Sequence, residues 1–255
     1  MFSNLAMNFE KKNNNLKVIL VEPNGPINVG SIARLCSNFE VNELRIVSPQ
    51  CDICSLEARK MALKGQIYID NCQIFNSIQE AIFDCDLVLA TCGRIDLSND
   101  IECESPDEIS KWISSYVEIN NIGILFGRED RGLSNNELLF ANKIFNIKTS
   151  QNYPSLNLSH AVSIILYELN KSSTNNLKKN SQVFNLASSK QIYESFNEIE
   201  EMLIRTGYLL EHTSFSKISK FKKFILKAKT SSYELNVLRG IVHQINWFLN
   251  NSKGK

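Results

Sequence analysis

Three short strings, far apart in a chain of 255 residues, carry polar groups in settings where a ligand could be held and charge handled. Asn28 to Arg34 reads NVGSIAR, Phe126 to Leu139 reads FGREDRGLSNNELL, and Tyr153 to Glu168 reads YPSLNLSHAVSIILYE. In the first, Gly30 and Arg34 are four residues apart and share a helix face, so a guanidinium stands beside a point where something can approach the backbone closely. In the second, a charged turn follows Gly127 and leads to Ser134-Asn135-Asn136-Glu137, the pattern of a capping box. In the third, Ser155 and Asn157 precede a helix whose unpaired N-terminal amides could hold a polar ligand. Each string alone has an ordinary explanation: a connecting turn, a surface arginine, a glycine that accommodates packing. Their common position, each at the end of a strand, points to a single site.

The elements that would bring them together are legible as short apolar runs bounded by turn residues: Leu16–Val21, Leu44–Val47, Ile67–Ile69, Leu87–Ala90, Ile122–Phe126 and Ile144–Ile147. Helical patterns lie between them, with further capping boxes at Ser77-Ile78-Gln79-Glu80 and at Ser105-Pro106-Asp107-Glu108. Alternating strands and helices argue an α/β fold with a parallel sheet covered on both faces. The helix after Asn157 repeats Leu158, Val162, Ile165 and Leu169 at core spacing. Neither GxGxxG after the first strand nor GxxxxGK[ST] anywhere is present, which argues against an ordinary dinucleotide dehydrogenase or an NTPase.

Composition bounds the rest. The N-terminal residues offer no apolar run before a cleavage site, and no window approaches the ~18 apolar residues of a spanning helix, so a cytoplasmic protein with no membrane partner is expected. All seven cysteines lie at or before Cys103 and read as small buried hydrophobes; Cys51 and Cys54 have metal spacing but no second pair follows, so no metal is expected. The net charge of +1 conceals an asymmetry: residues 1–170 hold 14 Lys and Arg against 21 Asp and Glu, whereas residues 171–255 hold 14 against 6. A polyanion or a membrane surface would suit the basic part.

The expected organisation is an N-terminal tail (1–15), an α/β domain (16–170), a polar linker (171–188) and a small C-terminal helical appendage (189–250) with helices near 189–212, 215–229 and 232–250. The last opens on a capping box at Ser231-Ser232-Tyr233-Glu234 and carries a core stripe of Leu238, Ile241, Val242, Ile245 and Phe248, which leaves Arg239 and Gln244 outside. The middle helix sets Phe215, Ile218, Phe221 and Ile225 against Lys217, Lys220, Lys222, Lys223, Lys227 and Lys229. Those lysines are a solvated face or a nucleic-acid contact, with a membrane surface a distant third.

The three strings, in this order and spacing, resemble the three motifs of the SpoU-type RNA 2′-O-methyltransferases of the SPOUT superfamily. EARKMALKG (Glu57 to Gly65), DCDLVLATCGR (Asp84 to Arg94) and ELNVLRGIV (Glu234 to Val242) are similar to the TrmJ-like branch. The resemblance implies a parallel α/β domain with a C-terminal trefoil knot, a homodimer, S-adenosylmethionine as cofactor, and a tRNA substrate methylated on cytidine or uridine at anticodon-loop position 32. By matching positions, it puts catalytic roles on Arg34, Asn28, Glu129 and Asn157. It puts cofactor contacts on Thr91, Cys92, Gly93, Gly127, Ile147, Pro154, Ser155 and Leu156, many of them through backbone. Arg34, Lys217, Lys220, Lys222, Lys223 and Arg239 would face RNA. Alternatives are an enzyme of the same kind acting on another tRNA position or on rRNA, and a catalytically silent RNA-binding scaffold. A guanidinium holds its proton far above pH 7, so Arg34 is expected to stay charged and stabilise an alkoxide instead of acting as a base.

Overall fold

The computed structural model describes residues 15–93, 103–114, 119–150, 152–173, 187–210 and 230–251, together with Lys217, Ile218, Phe221 and Ile225. Six strands, β1 (Asn15–Val21), β2 (Glu43–Val47), β3 (Gln73–Phe75), β4 (Leu87–Cys92), β5 (Asn121–Phe126) and β6 (Lys143–Asn146), form one sheet in the order β3-β2-β1-β5-β4-β6. Every pairing is parallel, so all six C-terminal ends share one edge. β5 is inserted between β1 and β4, and β6 lies outside β4.

Because strand side chains alternate, the two faces build two cores. Val18, Leu20, Ile46, Leu89, Ile124 and Phe126 pack against α1 (Pro26–Asn38), α2 (Leu56–Ala62), α3 (Gln66–Asp70), the start of α5 (Ile109–Ser114) and α7 (Leu158–Ser173). Ile19, Val21, Val47, Val88, Ala90 and Leu125 face two helices of a single turn, α4 (Ile78–Ala81) and α6 (Asn135–Leu138). The first face therefore carries the long helices and, at their N-termini, the first and third motifs.

Charged side chains occupy the strand N-terminal edge. Lys17 is 2% exposed, and its Nζ donates to Asp84 Oδ2 at 2.5 Å. Arg45 Nη1 and Nη2 donate to the same carboxylate at 2.7 and 2.9 Å, while Nε and Nη2 reach Glu43 at 2.8 and 2.6 Å. Hydrogen bonds from Arg45, then from Lys17, hold the Asp84 carboxyl well below the usual carboxylate range. The cluster is saturated with partners, as charges taken out of water must be.

Several expectations are corrected. Ile67–Ile69 is helical, within α3, and the third strand is Gln73–Phe75; Ile69 is buried but Ile67 is 60% exposed, the signature of one helical turn. Ser105 makes no side-chain cap, and Pro106–Glu108 is a 3-10 turn. At Ser77 half of the expected box forms: its side chain accepts the Glu80 amide, whereas Glu80 itself accepts the Asn76 amide. Ser134 and Ser231 do carry reciprocal caps.

In the C-terminal part, α8 (Ser189–Arg205) and α9 (Ser232–Asn251) enclose two small cores, one around Ala187, Phe196, Ile225 and Leu235, the other around Ile199, Met202 and Val242. α8 ends at Arg205, short of the expected 212. The expected stripe on α9 is rotated: Leu235, Leu238, Val242 and Ile245 pack inward, but Ile241 and Phe248 are exposed. The N-terminal tail before Asn15, most of the linker and most of the lysine-rich stretch lie outside the described residues.

Candidate active site at the strand C-terminal edge

β5 delivers the second motif. A Cβ on Gly127 would sit 2.1 Å from the Gly132 carbonyl carbon, so only glycine lets the turn fold back on itself there. Gly132, at φ +65°, closes that turn by donating its amide to Arg128 O at 2.9 Å. The next two side chains diverge. Arg128 points inward, donating from Nε to Glu22 at 2.6 Å and from Nη1 and Nη2 to Glu137 at 2.9 and 2.8 Å. Glu129 points to the β1–α1 turn, where its carboxylate accepts from Asn24 N, Gly25 N and Asn28 Nδ2 at 3.0, 3.1 and 3.0 Å.

Asn28, on the first turn of α1, passes the connection on. Its Oδ1 accepts from Asn157 Nδ2 at 2.9 Å, and Asn157 Oδ1 accepts from the Ser159 amide and hydroxyl at 2.8 and 2.7 Å. Asn28, Glu129 and Asn157 thus form one hydrogen-bonded row across the edge of the sheet, uniting the three motifs. The amide orientations follow from that network: each nitrogen faces a carboxylate or carbonyl oxygen.

Arg34 is not part of this row. It lies six residues beyond Asn28 on α1, about 9 Å along the axis, exposed, with no hydrogen bond or ion pair to any described residue. Gly30, four residues before it, accommodates packing: a Cβ there would lie 2.1 Å from Ala58 O, so the close approach is that of α2 to α1.

The expected cofactor positions cluster on the same edge. Thr91 and Cys92 end β4, Gly93 and Gly127 follow β4 and β5, Ile147 follows β6, and Pro154, Ser155 and Leu156 lead into α7. Asn146 Nδ2 donates to Cys92 O at 2.7 Å and Thr149 Oγ1 to Pro154 O at 2.9 Å, fixing two of these backbone segments. No described residue lies within 4 Å of where a Cβ of Gly93 would be, and Pro154 and Ser155 are exposed. This rim of neutral backbone and small side chains suits an uncharged base and ribose joined to a sulfonium, which a set of cations would repel.

Sequence reasoning missed Glu22, Arg128 and Glu137 as a unit. Hydrogen bonds from Arg128 lead the forces that lower the Glu22 carboxyl below its ordinary pKa. At Glu137, burial opposes ionisation, but Arg128 and Ser134 outweigh it. The available signal was charge balance, an arginine beside the strand-end glycine and glutamates at the first strand end and at the cap.

Of the residues expected to face RNA, Lys217 lies with its Nζ 5.4 Å from the Tyr208 ring centroid. Arg239 is engaged elsewhere, donating to both oxygens of Glu198 on α8, which makes it an interhelix pair instead of a free cation. Lys220, Lys222 and Lys223 lie outside the described residues. A groove of about 480 Å³ between α4, Phe140 and α8 holds none of the motif residues. Among the described residues no group of His, Cys, Asp and Glu could hold a metal, and no helix is long and apolar enough to cross a membrane.

Residues 15–167 match the model of the SpoU rRNA Methylase family. The chain belongs to the SpoU methylase family. The matched region covers the whole sheet and the first ten residues of α7, hence the first two motifs and all but the last residue of the third. Beyond this SpoU domain, the chain is 29% identical over 237 residues, 91% of its length and 95% of the relative's, to the tRNA (cytidine/uridine-2'-O-)-methyltransferase TrmJ of Escherichia coli (strain K12). It is 43% identical over 155 residues to the tRNA (cytidine-2'-O-)-methyltransferase TrmJ of Methanocaldococcus jannaschii; these make up 60% of this chain and 66% of that one, so the chain spans just under two thirds of the archaeal relative. The crystal structure of TrmJ from Z. mobilis ZM4 superposes with a TM-score of 0.78 at 25% identity, over 90% of this chain and 98% of that one.

Proposed function

We propose that this SpoU methylase is an S-adenosylmethionine-dependent methyltransferase that modifies a ribose 2′-hydroxyl of tRNA, on cytidine or uridine at anticodon-loop position 32. The observation that carries the reading is the Asn28–Glu129–Asn157 row, in which the three motifs meet beside a neutral, backbone-rich rim. The names of the bacterial and archaeal relatives supply the ribose oxygen, the pyrimidine and the tRNA. The family's own description, an rRNA methylase, favours rRNA as the second reading.

When bound, S-adenosylmethionine supplies an electrophilic sulfonium methyl. Thr91, Cys92, Gly93, Gly127, Ile147 and Pro154 to Leu156 would hold it, leaving the ribose oxygen to enter in line. A fixed near-attack geometry contributes several kcal/mol to such a transfer. Arg34, a cation at neutral pH, grips a phosphate of the RNA and stabilises the alkoxide as the hydroxyl proton passes to solvent water. Asn28 and Asn157, locked by Glu129, orient the sugar, whose 2′-hydroxyl distinguishes RNA from DNA.

We also read the chain as a cytoplasmic homodimer with a trefoil knot. Support for the knot comes from connectivity: β6 lies at the sheet margin beyond β4, yet the next helix, α7, packs beside α1. Asn157 is exposed and Asn28 half-buried, consistent with a second copy completing the pocket. The basic C-terminal part is the electrostatic handle for RNA. Methyl transfer from labelled S-adenosylmethionine to bulk tRNA and, separately, to rRNA tests the reading: label in tRNA supports it, label in rRNA alone selects the second reading, and label in neither refutes both.

A further inference from the structure

We propose that Arg128 is a positioning residue, clamped by Glu22 and Glu137 so that the adjacent Glu129 carboxylate is held where it orders Asn28 and, through it, Asn157. The inference rests on the functional reading above for its catalytic consequence, though not for its geometry. Arg128 is only 9% exposed, and each of its guanidinium nitrogens has an acceptor: Nε in Glu22, Nη1 and Nη2 in Glu137, with Nη1 also 3.4 Å from Gly132 O. A planar fork can meet two carboxylates from different elements at once, which a lysine ammonium cannot reproduce.

Both partners are themselves constrained. Glu137 Oε2 accepts the Ser134 amide at 2.7 Å, so the carboxylate that grips Arg128 also caps α6. That helix has a single turn and could not hold its own shape, since helix nucleation is unfavourable. Glu22, just past β1, sits at φ +46°, a region that non-glycine residues rarely adopt, and Arg128 holds it by the shortest hydrogen bond of the group, 2.6 Å. Asp130 and Arg131 in the same turn are exposed. The Arg128 side chain is thus the inward anchor of a turn whose outward product is Glu129.

The test is Arg128→Lys in the full-length protein, which keeps the charge and loses the fork. By amide-resolved NMR, the backbone signals of Asn24 and Gly25 and the side-chain amide of Asn28, all donors to Glu129, are expected to move, while the Arg45 amide at the opposite edge stays. Turnover of methyl transfer is expected to fall at least about tenfold with the RNA KM within about threefold. In a Glu129→Gln background the same change should alter turnover less than about twofold, because an effect routed through Glu129 cannot be lost twice. Unmoved signals, or turnover losses that multiply in the double variant, overturn the proposal. Should wild type methylate no RNA, the functional reading falls while the NMR shifts still decide the clamp. If Arg128→Lys fails to fold, Glu22→Ala, which removes one arm, is read by the same signals.

Discussion

The two edges of the sheet use charge in opposite ways. At the N-terminal edge, Lys17, Glu43, Arg45 and Asp84 satisfy one another, and both cations are buried. At the C-terminal edge Arg128 is buried among its partners and Glu129 commits its carboxylate to the amides of a turn, while Arg34, about 9 Å along α1 from Asn28, stands exposed without a partner among the described residues. Charges that hold a fold together are neutralised within it, whereas Arg34, the residue proposed to meet phosphate and a developing oxyanion, has no partner among the described residues.

This contrast is easiest to break at Arg34. Arg34→Ala is expected to lower the single-turnover rate of methyl transfer about 10²- to 10³-fold, the usual loss for one oxyanion-stabilising group, with an unchanged urea midpoint. Arg34→Lys should recover only part, since a point charge lacks the bidentate grip. A wild-type rate in the alanine variant would remove the distinction between the edges.

The opposite edge should respond in stability instead. Asp84→Asn leaves Lys17 with Glu43 alone, at 3.5 Å, and is expected to cost about 2 kcal/mol, below the 3–5 kcal/mol of a fully buried pair because Asp84 is half exposed. Urea unfolding checks this, and turnover per folded molecule should not change. The pH dependence has a defined sign. The folded pKa of Asp84 is depressed, so its contribution is complete above the unfolded value near 3.9 and is lost as pH falls from there through the folded one. The gap between wild type and Asp84→Asn should therefore close on acidification from about pH 5; a constant gap would mean the ion cluster is not its source.

The smallest expected effect concerns the tail. Replacing Lys217, Lys220, Lys222 and Lys223 together by alanine should weaken RNA binding about tenfold and flatten its salt dependence, by about one slope unit for each phosphate that is no longer neutralised. An unchanged slope would return these lysines to a solvated face.

Much of this is legible in the sequence, for identifiable reasons. Ser134 to Glu137 spells its cap locally, and the apolar runs of β1, β4 and β5 are buried on both faces, so both can be read without knowing the partners. β3 escapes because it is a short edge strand with Gln73 and Ile74 exposed, while Ile67-Tyr68-Ile69 alternates like a strand but turns as a helix. Arg128 escapes because neighbouring residues on a turn can point in opposite directions, which no spacing reveals. The role of Gly30 depends on Ala58, which only packing brings to it.

The central claim is that three distant segments converge to deliver a methyl group to a ribose oxygen beside a permanent cation. Mass-spectrometric mapping of tRNA treated with S-adenosylmethionine and either wild type or Arg34→Ala tests it most directly. The account predicts one new 2′-O-methyl pyrimidine nucleotide with wild type and its near-absence with the variant; a methyl on a base, or equal ribose methylation by both proteins, would contradict it.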